Sequence, residues 1–289
     1  LNSVNYKYDD THKLMEDTAG NIRYYGANPN NYIYFNCSDY NNQTSDTCET
    51  WRIIGVFDGK VKIMRNEIIG SYSWDTSTSD INGGWGVNEW SQADLMKLLN
   101  SEYDSESVGG SLYWNAQSGT CYNGRKNSTT SCDFTSTGLK NDTTRNLIAE
   151  TTYYTRGHDT SEIFLDAMYD KERVSGTVHS GHSTSWTGKV AIPYPTDYGY
   201  AADLSLCQQQ LKYYNDATCT ANNWMKNIFT NNRGHYGWLL APHSGSAYIV
   251  WPVNSGGSVY NSYYASGASG VSPVLSLTSE LDIGSGTGE

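Results

Sequence analysis

The spacing of its six cysteines constrains this chain more than any other feature. They fall into three local pairs whose members are eleven or twelve residues apart: Cys37 and Cys48, Cys121 and Cys132, Cys207 and Cys219. Sequence alone leaves every connectivity open. We expect local pairing, in which each disulfide closes a short loop and adds about 2–3 kcal/mol to the free energy of unfolding.

An even number of cysteines in a polar, aromatic-rich chain favours disulfides and an extracellular, oxidising compartment. The alternatives are six reduced cysteines in a cytosolic protein and a zinc site. Zinc is disfavoured because no C-x-x-C pair occurs and no histidine lies at ligand spacing from a pair. No apolar stretch reaches the roughly 18 residues of a membrane span, so we expect no direct membrane insertion. Because the first residue is Leu1 rather than Met, we expect a signal or anchor segment to have been removed.

The charge balance excludes two classes of partner. The 289 residues carry a formal net charge of −11, and charged residues make up only 17% of the chain. Binding to a nucleic-acid backbone or to an anionic membrane surface requires a basic patch, so neither partner is expected. Solubility comes instead from Asn, Ser, Thr and Gly.

The pattern along the chain predicts one domain rather than two. Residues 1–30 are polar without a clear period, and we interpret them as a lead-in or linker from a removed anchor. Residues 31–289 show no hinge-like linker, which favours a single domain. Within it, the Gly-, Ser-, Thr- and Asn-rich stretch 101–140 is predicted to be a long insertion.

The clearest local signal is a β-hairpin, because two β-rich runs, 51–57 and 60–64, flank the pair Asp58-Gly59. Helices are predicted over 90–99, 141–154, 159–173, 196–203 and near 206–214. Strands are predicted over 31–36, 188–194, 236–240, 247–253, 259–264 and 271–277.

No common catalytic motif occurs: the chain has no G-x-S-x-G elbow, Walker loop, G-x-G-x-x-G or H-E-x-x-H. His179 and His182 could hold a metal ion, but two solvated histidines in a polar loop are the favoured interpretation. A helix-capping role for Asp197 is favoured over a role in acid–base catalysis. We therefore expect no enzyme activity, no metal and no cofactor.

The most informative region is 243–270, which contains Tyr, Ser, Gly, Asn and Ala but no charged residue. This composition is similar to that of antibody binding loops, in which Tyr and Trp supply rigid amphipathic contact area and Ser, Gly and Asn supply adaptable hydrogen bonds. A surface β-meander without a ligand is the alternative. The candidate ligand-binding residues are His243, Ser244, Ser246, Tyr248, Trp251, Asn254, Tyr260, Asn261, Tyr263 and Tyr264. Strand alternation places Trp251 on the face opposite Tyr248, so Trp251 is also a candidate core residue.

Several segments together resemble a family of bacterial cell-surface proteins that has no well-established activity. They are Asn28–Cys37 (NPNNYIYFNC), Glu49–Val56 (ETWRIIGV), Gly70–Asp75 (GSYSWD), Gly84–Asn88 (GWGVN), Ala93–Asn100 (ADLMKLLN), Ser185–Tyr200 (SWTGKVAIPYPTDYGY), Trp238–Pro242 (WLLAP) and Gly270–Leu277 (GVSPVLSL). The resemblance covers nearly the whole chain and departs from the family at Ser272, where members usually carry Arg.

The resemblance implies an α+β fold of the C-type-lectin-like class: a twisted, mainly antiparallel sheet with flanking helices and long insertions. This class includes formylglycine-generating enzymes and the variable proteins of diversity-generating retroelements, which display changeable residues on a C-terminal β-region. Two family features fail here. The calcium-dependent sugar motifs are replaced by Trp251-Pro-Val-Asn254, and Cys207 and Cys219 are interpreted as a structural pair rather than reactive thiols.

We therefore expect an extracellular or surface-anchored recognition protein. Its ligand would be a protein or a glycan on another cell or a host surface, and its binding face would be sequence-diversified as in the retroelement proteins. The alternative is a structural subunit of a pilin-like surface filament, in which the chain associates with itself.

Overall fold

Short β-strands dominate the part of the chain that the structure describes. The computed structural model describes residues 5–78, 81–100, 112, 118–230 and 236–278. The strands are β1 (Lys7–Asp9), β2 (Leu14–Glu16), β3 (Ile22–Tyr24), β4 (Tyr32–Phe35), β5 (Glu49–Phe57), β6 (Lys60–Arg65), β7 (Gly70–Ser73), β8 (Ser118–Tyr122), β9 (Thr129–Asp133), β10 (Ile148–Ala149), β11 (Thr151–Tyr154), β12 (Ser185–Gly188), β13 (Val190–Ala191), β14 (Gly237–Pro242), β15 (Ile249–Val253), β16 (Tyr263–Tyr264), β17 (Ala268–Val271) and β18 (Val274–Leu277). The helices are α1 (Asp94–Leu99), α2 (Asp142–Asn146), α3 (Leu165–Arg173), α4 (Pro195–Tyr200), α5 (Ala217–Ala221) and α6 (Lys226–Thr230). The protein is α+β and mainly antiparallel, and no helix of these residues has the length and apolar character to cross a membrane.

The larger sheet runs in the order β1-β2-β3-β5-β6-β18-β10, with β4 also paired to β5 and β13 to β18. Its centre is the predicted hairpin of β5 and β6. Asp58 and Gly59 both have positive φ, 50° and 74°, which is the geometry of a two-residue type I′ turn. The last strand, β18, lies beside β6, so the two ends of the described chain meet in one sheet.

The smaller sheet, in the order β16-β15-β14-β17-β7, contains the region of interest. Its pairings are antiparallel except for the parallel contact of β14 with β17. The two-residue strand β16 lies at its edge. The predicted strands over 236–240 and 247–253 correspond to β14 and β15. The strand predicted over 259–264 is reduced to β16, and the one predicted over 271–277 is β18 of the larger sheet, with only Val271 in β17.

Tryptophans form much of the core beneath this sheet. Trp74 is completely buried and makes edge-to-face contacts with Trp90 and Trp238, with ring centroids 5.0 and 6.0 Å apart. Aromatic pairs in this geometry contribute beyond the apolar area that they bury. A second buried cluster, which includes Tyr198 and Trp251, packs around α4.

The three predicted local disulfides are present, and no cysteine of the described residues is free. Three disulfides are typical of extracellular or secreted proteins. One of them, between Cys121 and Cys132, joins β8 and β9 into a hairpin. This hairpin occupies the second half of the predicted insertion; residues 101–111 and 113–117 lie outside the described residues.

The expectation that residues 1–30 form a lead-in is wrong for 7–24. These residues form β1, β2 and β3, and β3 pairs with β5 in the larger sheet. The sequence pattern misses them because each strand has only three residues, too few for an alternating pattern to appear.

All five predicted helices are shorter than expected; those predicted over 90–99 and 196–203 span only Asp94–Leu99 and Pro195–Tyr200. The helix predicted over 141–154 ends at Asn146, and the β-branched and aromatic residues Thr151–Tyr154 pair with β12 instead. The helix predicted over 159–173 begins only at Leu165, because the carbonyls of Ser161 and Ile163 accept hydrogen bonds from Lys212 and Leu211. Near 206–214 only Leu211–Tyr213 is helical, as one 3₁₀ turn.

A buried ionic cluster connects the N-terminal strands to α4. The fully buried Asp197 accepts hydrogen bonds from Lys62 and from Arg23, whose Nη1 lies 3.1 Å from Asp197 Oδ1. Arg23 also contacts Asp17, at 2.6 Å. Burial alone would raise the pKa of Asp197, but Lys62 and Arg23 hold it below the ordinary value. The backbone N–H of Tyr194 donates to the same carboxylate, as expected for a helix-capping residue.

Candidate aromatic recognition surface

The candidate site is built on β16, which pairs with β15 at the edge of the smaller sheet. Tyr263 lies opposite Val250 and Tyr264 opposite Ile249. Because successive side chains of a strand point to opposite faces, the two tyrosines project to different sides of the sheet edge. Each tyrosine belongs to a row of aromatic side chains, which we call the first and second stacks.

The first stack consists of Arg125, Trp85, Tyr264 and Tyr248. The Arg125 guanidinium lies 3.4 Å from the centre of the Trp85 ring, and Tyr264 lies nearly parallel to Trp85 with ring centroids 3.9 Å apart. Tyr248 continues the row at 5.9 Å from Tyr264. Both faces of the Trp85 ring are therefore covered.

The disulfide-bonded β8–β9 hairpin positions Arg125. Next to Arg125, the backbone N–H of Gly124 donates to the Ser73 hydroxyl at 2.8 Å. On the other side, the N–H of Asn127 donates to Thr76 Oγ1 at 2.9 Å. Arg125 itself donates to the carbonyl of Gly83, which precedes Trp85 in the chain. The hairpin tip is thus attached to the smaller sheet and to the segment that carries Trp85.

The second stack consists of Tyr260, Tyr236, Tyr263 and Trp238. Ring centroids are 6.5 Å apart between Tyr260 and Tyr236, 4.7 Å between Tyr236 and Tyr263, and 5.6 Å between Tyr263 and Trp238. Tyr260 is 42% exposed, whereas Trp238 is fully buried and donates from Nε1 to the Tyr72 carbonyl. The stack therefore runs from solvent into the core, which fixes its outer members.

The tyrosine hydroxyls of both stacks are unused. Within the described part of the chain, the hydroxyls of Tyr236, Tyr248, Tyr260, Tyr263 and Tyr264 form no hydrogen bond. Each can both donate and accept. We call the two stacks together the aromatic surface. It offers rigid apolar area bordered by free hydroxyl groups.

Asn88 positions the loop that leads into β15. Its side-chain amide donates to the carbonyls of His243, Ser246 and Ile249, at 3.2, 2.8 and 2.7 Å. Its backbone N–H donates to Ala247. Because Asn88 is 1% exposed, these bonds are shielded from water and hold the backbone on both sides of Tyr248.

Asp75 positions the neighbouring loop with Trp85. Its carboxylate accepts from the Val87 N–H at 2.6 Å, and its side chain is hydrogen-bonded to Asp94. Burial raises the pKa of Asp75 well above its ordinary value, and the charge of Asp94 raises it further. Gly86 passes so close that a side-chain Cβ would lie 2.4 Å from the Asp75 carbonyl oxygen, so this position requires glycine.

The ten predicted ligand-binding residues divide into two groups. Tyr248, Tyr260, Tyr263 and Tyr264 lie in the stacks. The other six are His243, Ser244, Ser246, Trp251, Asn254 and Asn261. The expectation for Trp251 as a ligand contact is wrong, because its side chain is 0% exposed and belongs to the core.

The remaining five predicted residues shape the backbone. Asn254 closes a turn by accepting from Gly256 and Ser258, and Asn261 donates to the Asp159 carbonyl. His243 Nδ1 accepts from Gly245, and Ser246 Oγ accepts from Tyr248. Ser244 donates from its backbone to His158. At least one polar group of each residue is therefore used within the protein.

Sequence reasoning missed Trp85, Arg125 and Tyr236. Trp85 lies in a turn-rich stretch within Gly84–Asn88, one of the segments of the family resemblance, so a signal existed there. Arg125 lies between the two cysteines of one local pair, but nothing in the sequence relates that loop to Trp85. Tyr236 was predicted only as the first residue of a strand, and nothing in the sequence relates it to Tyr263. The residues before it, 231–235, lie outside the described residues.

The candidate metal-binding histidines, His179 and His182, lie between α3 and β12. His179 and His182 lie with ring centroids 5.1 Å apart, yet among the described residues no group of three or more His, Cys, Asp or Glu is placed to bind a metal ion. The strongly paired titratable groups, Lys62 and Asp197, are buried. No family model, curated protein or solved structure matched the chain in the three comparisons made.

Proposed function

We propose that the chain is an extracellular recognition protein that binds a macromolecular ligand through the aromatic surface. The observation that carries this proposal is the exposed tyrosine pair: Tyr260 and Tyr264 are each 42% exposed and are held by stacked neighbours. Tyrosine, tryptophan and arginine are enriched in protein interfaces. Their rigidity here lowers the conformational entropy that binding would cost.

A protein ligand fits this surface better than a glycan. A sugar ring packs its C–H groups on an open aromatic face, but Arg125 and Tyr264 cover both faces of Trp85. The free hydroxyls and ring edges instead suit backbone carbonyls and side chains of a protein. Arg125 adds one exposed cation to an otherwise uncharged patch, so the partner is expected to offer a carboxylate at that end.

The proposal includes the C-type-lectin-like fold and a diversified surface. The antiparallel sheets and the display of aromatic residues on a C-terminal β-region are consistent with that class. Tyr260, Ser262 and Tyr264 are exposed at alternate positions, whereas Ala265 and Ser266 are buried. Deep sequencing of the coding region in a population of source cells tests diversification. Variation concentrated at 260, 262 and 264 supports it, and a uniform sequence removes it.

The binding test uses the whole chain on arrays of extracellular proteins and of glycans. The double variant Tyr260→Ala/Tyr264→Ala should lose at least about 1–3 kcal/mol of affinity for a captured protein, the range for interface anchors. Tyr154→Ala is the matched control, because Tyr154 is 43% exposed and lies on β11. If the native chain, the double variant and Tyr154→Ala bound the captured protein with equal affinity, the proposal would be contradicted. Fibres of the purified chain in electron micrographs would favour the filament subunit instead.

A further inference from the structure

Two neighbouring depressions lie beside the Cys207–Cys219 disulfide and share no residue with the aromatic surface. The smaller has a volume of about 240 Å³ and the larger about 430 Å³. Gln208 and Gln209 line both depressions, so the two are adjacent, and we call them together the groove.

The smaller depression has an apolar floor and a polar rim. Leu165, Leu204 and Tyr214 are buried at its floor, whereas Asn5 and Gln209 are exposed at its rim. Among the described residues, no Asp, Glu, Lys, Arg or His lines either depression. The uncharged lining offers no counter-charge to an ionic ligand.

Three consecutive side-chain amides along this groove are unused. Within the described residues, the amides of Gln208, Gln209 and Gln210 form no hydrogen bond. Each offers two N–H donors and one carbonyl acceptor. Exposed apolar groups stand beside them, since Tyr8 is 36% and Tyr213 is 43% exposed.

The segment that carries the glutamines is held in place from both sides. Cys207 is bonded to Cys219, and its backbone N–H donates to Asp203 at 2.8 Å. After the glutamines, the Leu211 N–H donates to the Ile163 carbonyl at 3.0 Å. The backbone of the groove is therefore formed before a ligand arrives, which reduces the entropy lost on binding.

From these features we infer that the groove is a second binding site, for a neutral oligosaccharide. Neighbouring hydroxyls of a sugar ring both donate and accept, and a glutamine amide matches such a pair with its carbonyl and N–H groups. The exposed Tyr8 and Tyr213 rings accept the C–H faces of the sugar. The two adjacent depressions, of about 240 and 430 Å³, would each receive one sugar unit. This site is independent of the proposed function of the aromatic surface.

The test is titration of the intact chain with neutral oligosaccharides selected on an array of neutral and acidic glycans. Saturation-transfer NMR on the same samples reports which sugar units touch the protein. The double variant Gln208→Ala/Gln209→Ala should weaken binding about tenfold or more. Gln43→Ala is the matched control, because Gln43 is an exposed glutamine in another disulfide loop. Tyr264→Ala reports on the aromatic surface.

The expected result is binding of neutral glycans that only the double glutamine variant weakens. Binding confined to acidic glycans, or no binding of any glycan at millimolar concentration, would overturn the inference. Loss of glycan binding in Tyr264→Ala with full binding in the double glutamine variant would also overturn it, by placing the glycan on the aromatic surface. A protein ligand that depends on Tyr264 leaves this site unaffected, so the two proposals fail separately.

Discussion

Trp85 and Tyr264 lie face to face, 3.9 Å apart between ring centroids, although they come from opposite halves of the chain. The pair joins the Asp75–Asn88 loop to the edge strand β16. A second link holds the same elements, since the backbone N–H of Ser266 donates to the Trp85 carbonyl at 3.1 Å. The first stack is therefore a structural connection as well as a surface.

This contact predicts measurable coupling between the two residues. In a double-mutant cycle with Trp85→Ala and Tyr264→Ala, the interaction energy should be about 0.5–1.5 kcal/mol, as for other stacked aromatic pairs. Chemical denaturation of the four proteins measures it. A parallel cycle with Trp85→Ala and Tyr154→Ala should be additive within about 0.5 kcal/mol. Additivity in the first cycle would show that the stack contributes no stability.

Asn88 should contribute strongly to the stability of the protein, because its buried side chain holds the loop that leads into β15. Replacing it with Ala leaves the Ser246 carbonyl without a partner among the described residues, whereas the carbonyls of His243 and Ile249 keep the backbone N–H groups of Ser246 and His243. The expected loss is about 1–3 kcal/mol in the free energy of unfolding. Hydrogen exchange should quicken at the backbone N–H of His243, which donates to Ile249. Asn41→Ala, at an exposed asparagine, is the control. An unchanged exchange rate at His243 in the Asn88→Ala variant would mean that the loop before β15 keeps its conformation without the Asn88 side chain.

The disulfide of the β8–β9 hairpin should stabilise the protein and orient Arg125. Cys121→Ser/Cys132→Ser opens a loop of about a dozen residues, which predicts a loss of about 2–3 kcal/mol. The cation–π contact of Arg125 with Trp85 should weaken too, and a change in Trp fluorescence reports it. Arg125→Ala in the disulfide-intact chain separates the two effects, because it removes the cation and keeps the loop closed. If Cys121→Ser/Cys132→Ser had the same free energy of unfolding as the native chain, the disulfide would not stabilise the protein as expected.

The sequence predicted those parts of the fold that depend on local chemistry. The Asp58-Gly59 turn, the local disulfides and the tyrosines of 248–264 follow from neighbouring residues. Long-range relations could not be predicted in this way. Nothing near Arg125 indicates that it stacks on Trp85, and nothing near Thr151–Tyr154 shows that the partner strand Ser185–Gly188 exists. Trp251 illustrates the same limit, because strand alternation places it opposite Tyr248 but does not indicate which face is buried, and that depends on the second core cluster.

The buried cluster around Asp197 predicts that replacing this one carboxylate with an amide strongly lowers the free energy of unfolding. Asp197→Asn keeps the shape but leaves Lys62 without a counter-charge and Arg23 with Asp17 alone, which should cost about 3–5 kcal/mol. Burial already lowers the pKa of Lys62 to about 8, partly opposed by Asp197. The double variant Lys62→Met/Asp197→Asn removes one unpaired cation and should be more stable than Asp197→Asn alone. If both proteins were equally destabilised, the hydrogen bonds of Asp197 rather than its charge would explain the loss.

The Asp75–Asp94 pair predicts how the stability of the Trp85 loop depends on pH. In the folded state the pKa of Asp75 is raised above 3.8 by burial and by Asp94, whereas the unfolded chain releases this proton at the ordinary value. The pair's contribution is therefore present at acidic pH and is lost as pH rises from about 4 through the raised pKa of the folded state.

Asp94→Asn tests this dependence. The amide oxygen can still accept from the Thr76 N–H, as Asp94 does at 2.9 Å, but the neighbouring negative charge is gone. Urea unfolding between about pH 4.5 and 9 measures the free energy of unfolding at each pH. This free energy should depend less on pH in Asp94→Asn than in the native chain, and at neutral pH it should be higher by on the order of 1 kcal/mol. Asp46→Asn, at an exposed aspartate, should leave the slope unchanged. If the free energy of unfolding of Asp94→Asn depended on pH as steeply as that of the native chain, the two carboxyls would not share a proton. Asp75 would then hold the loop as an ionised acceptor.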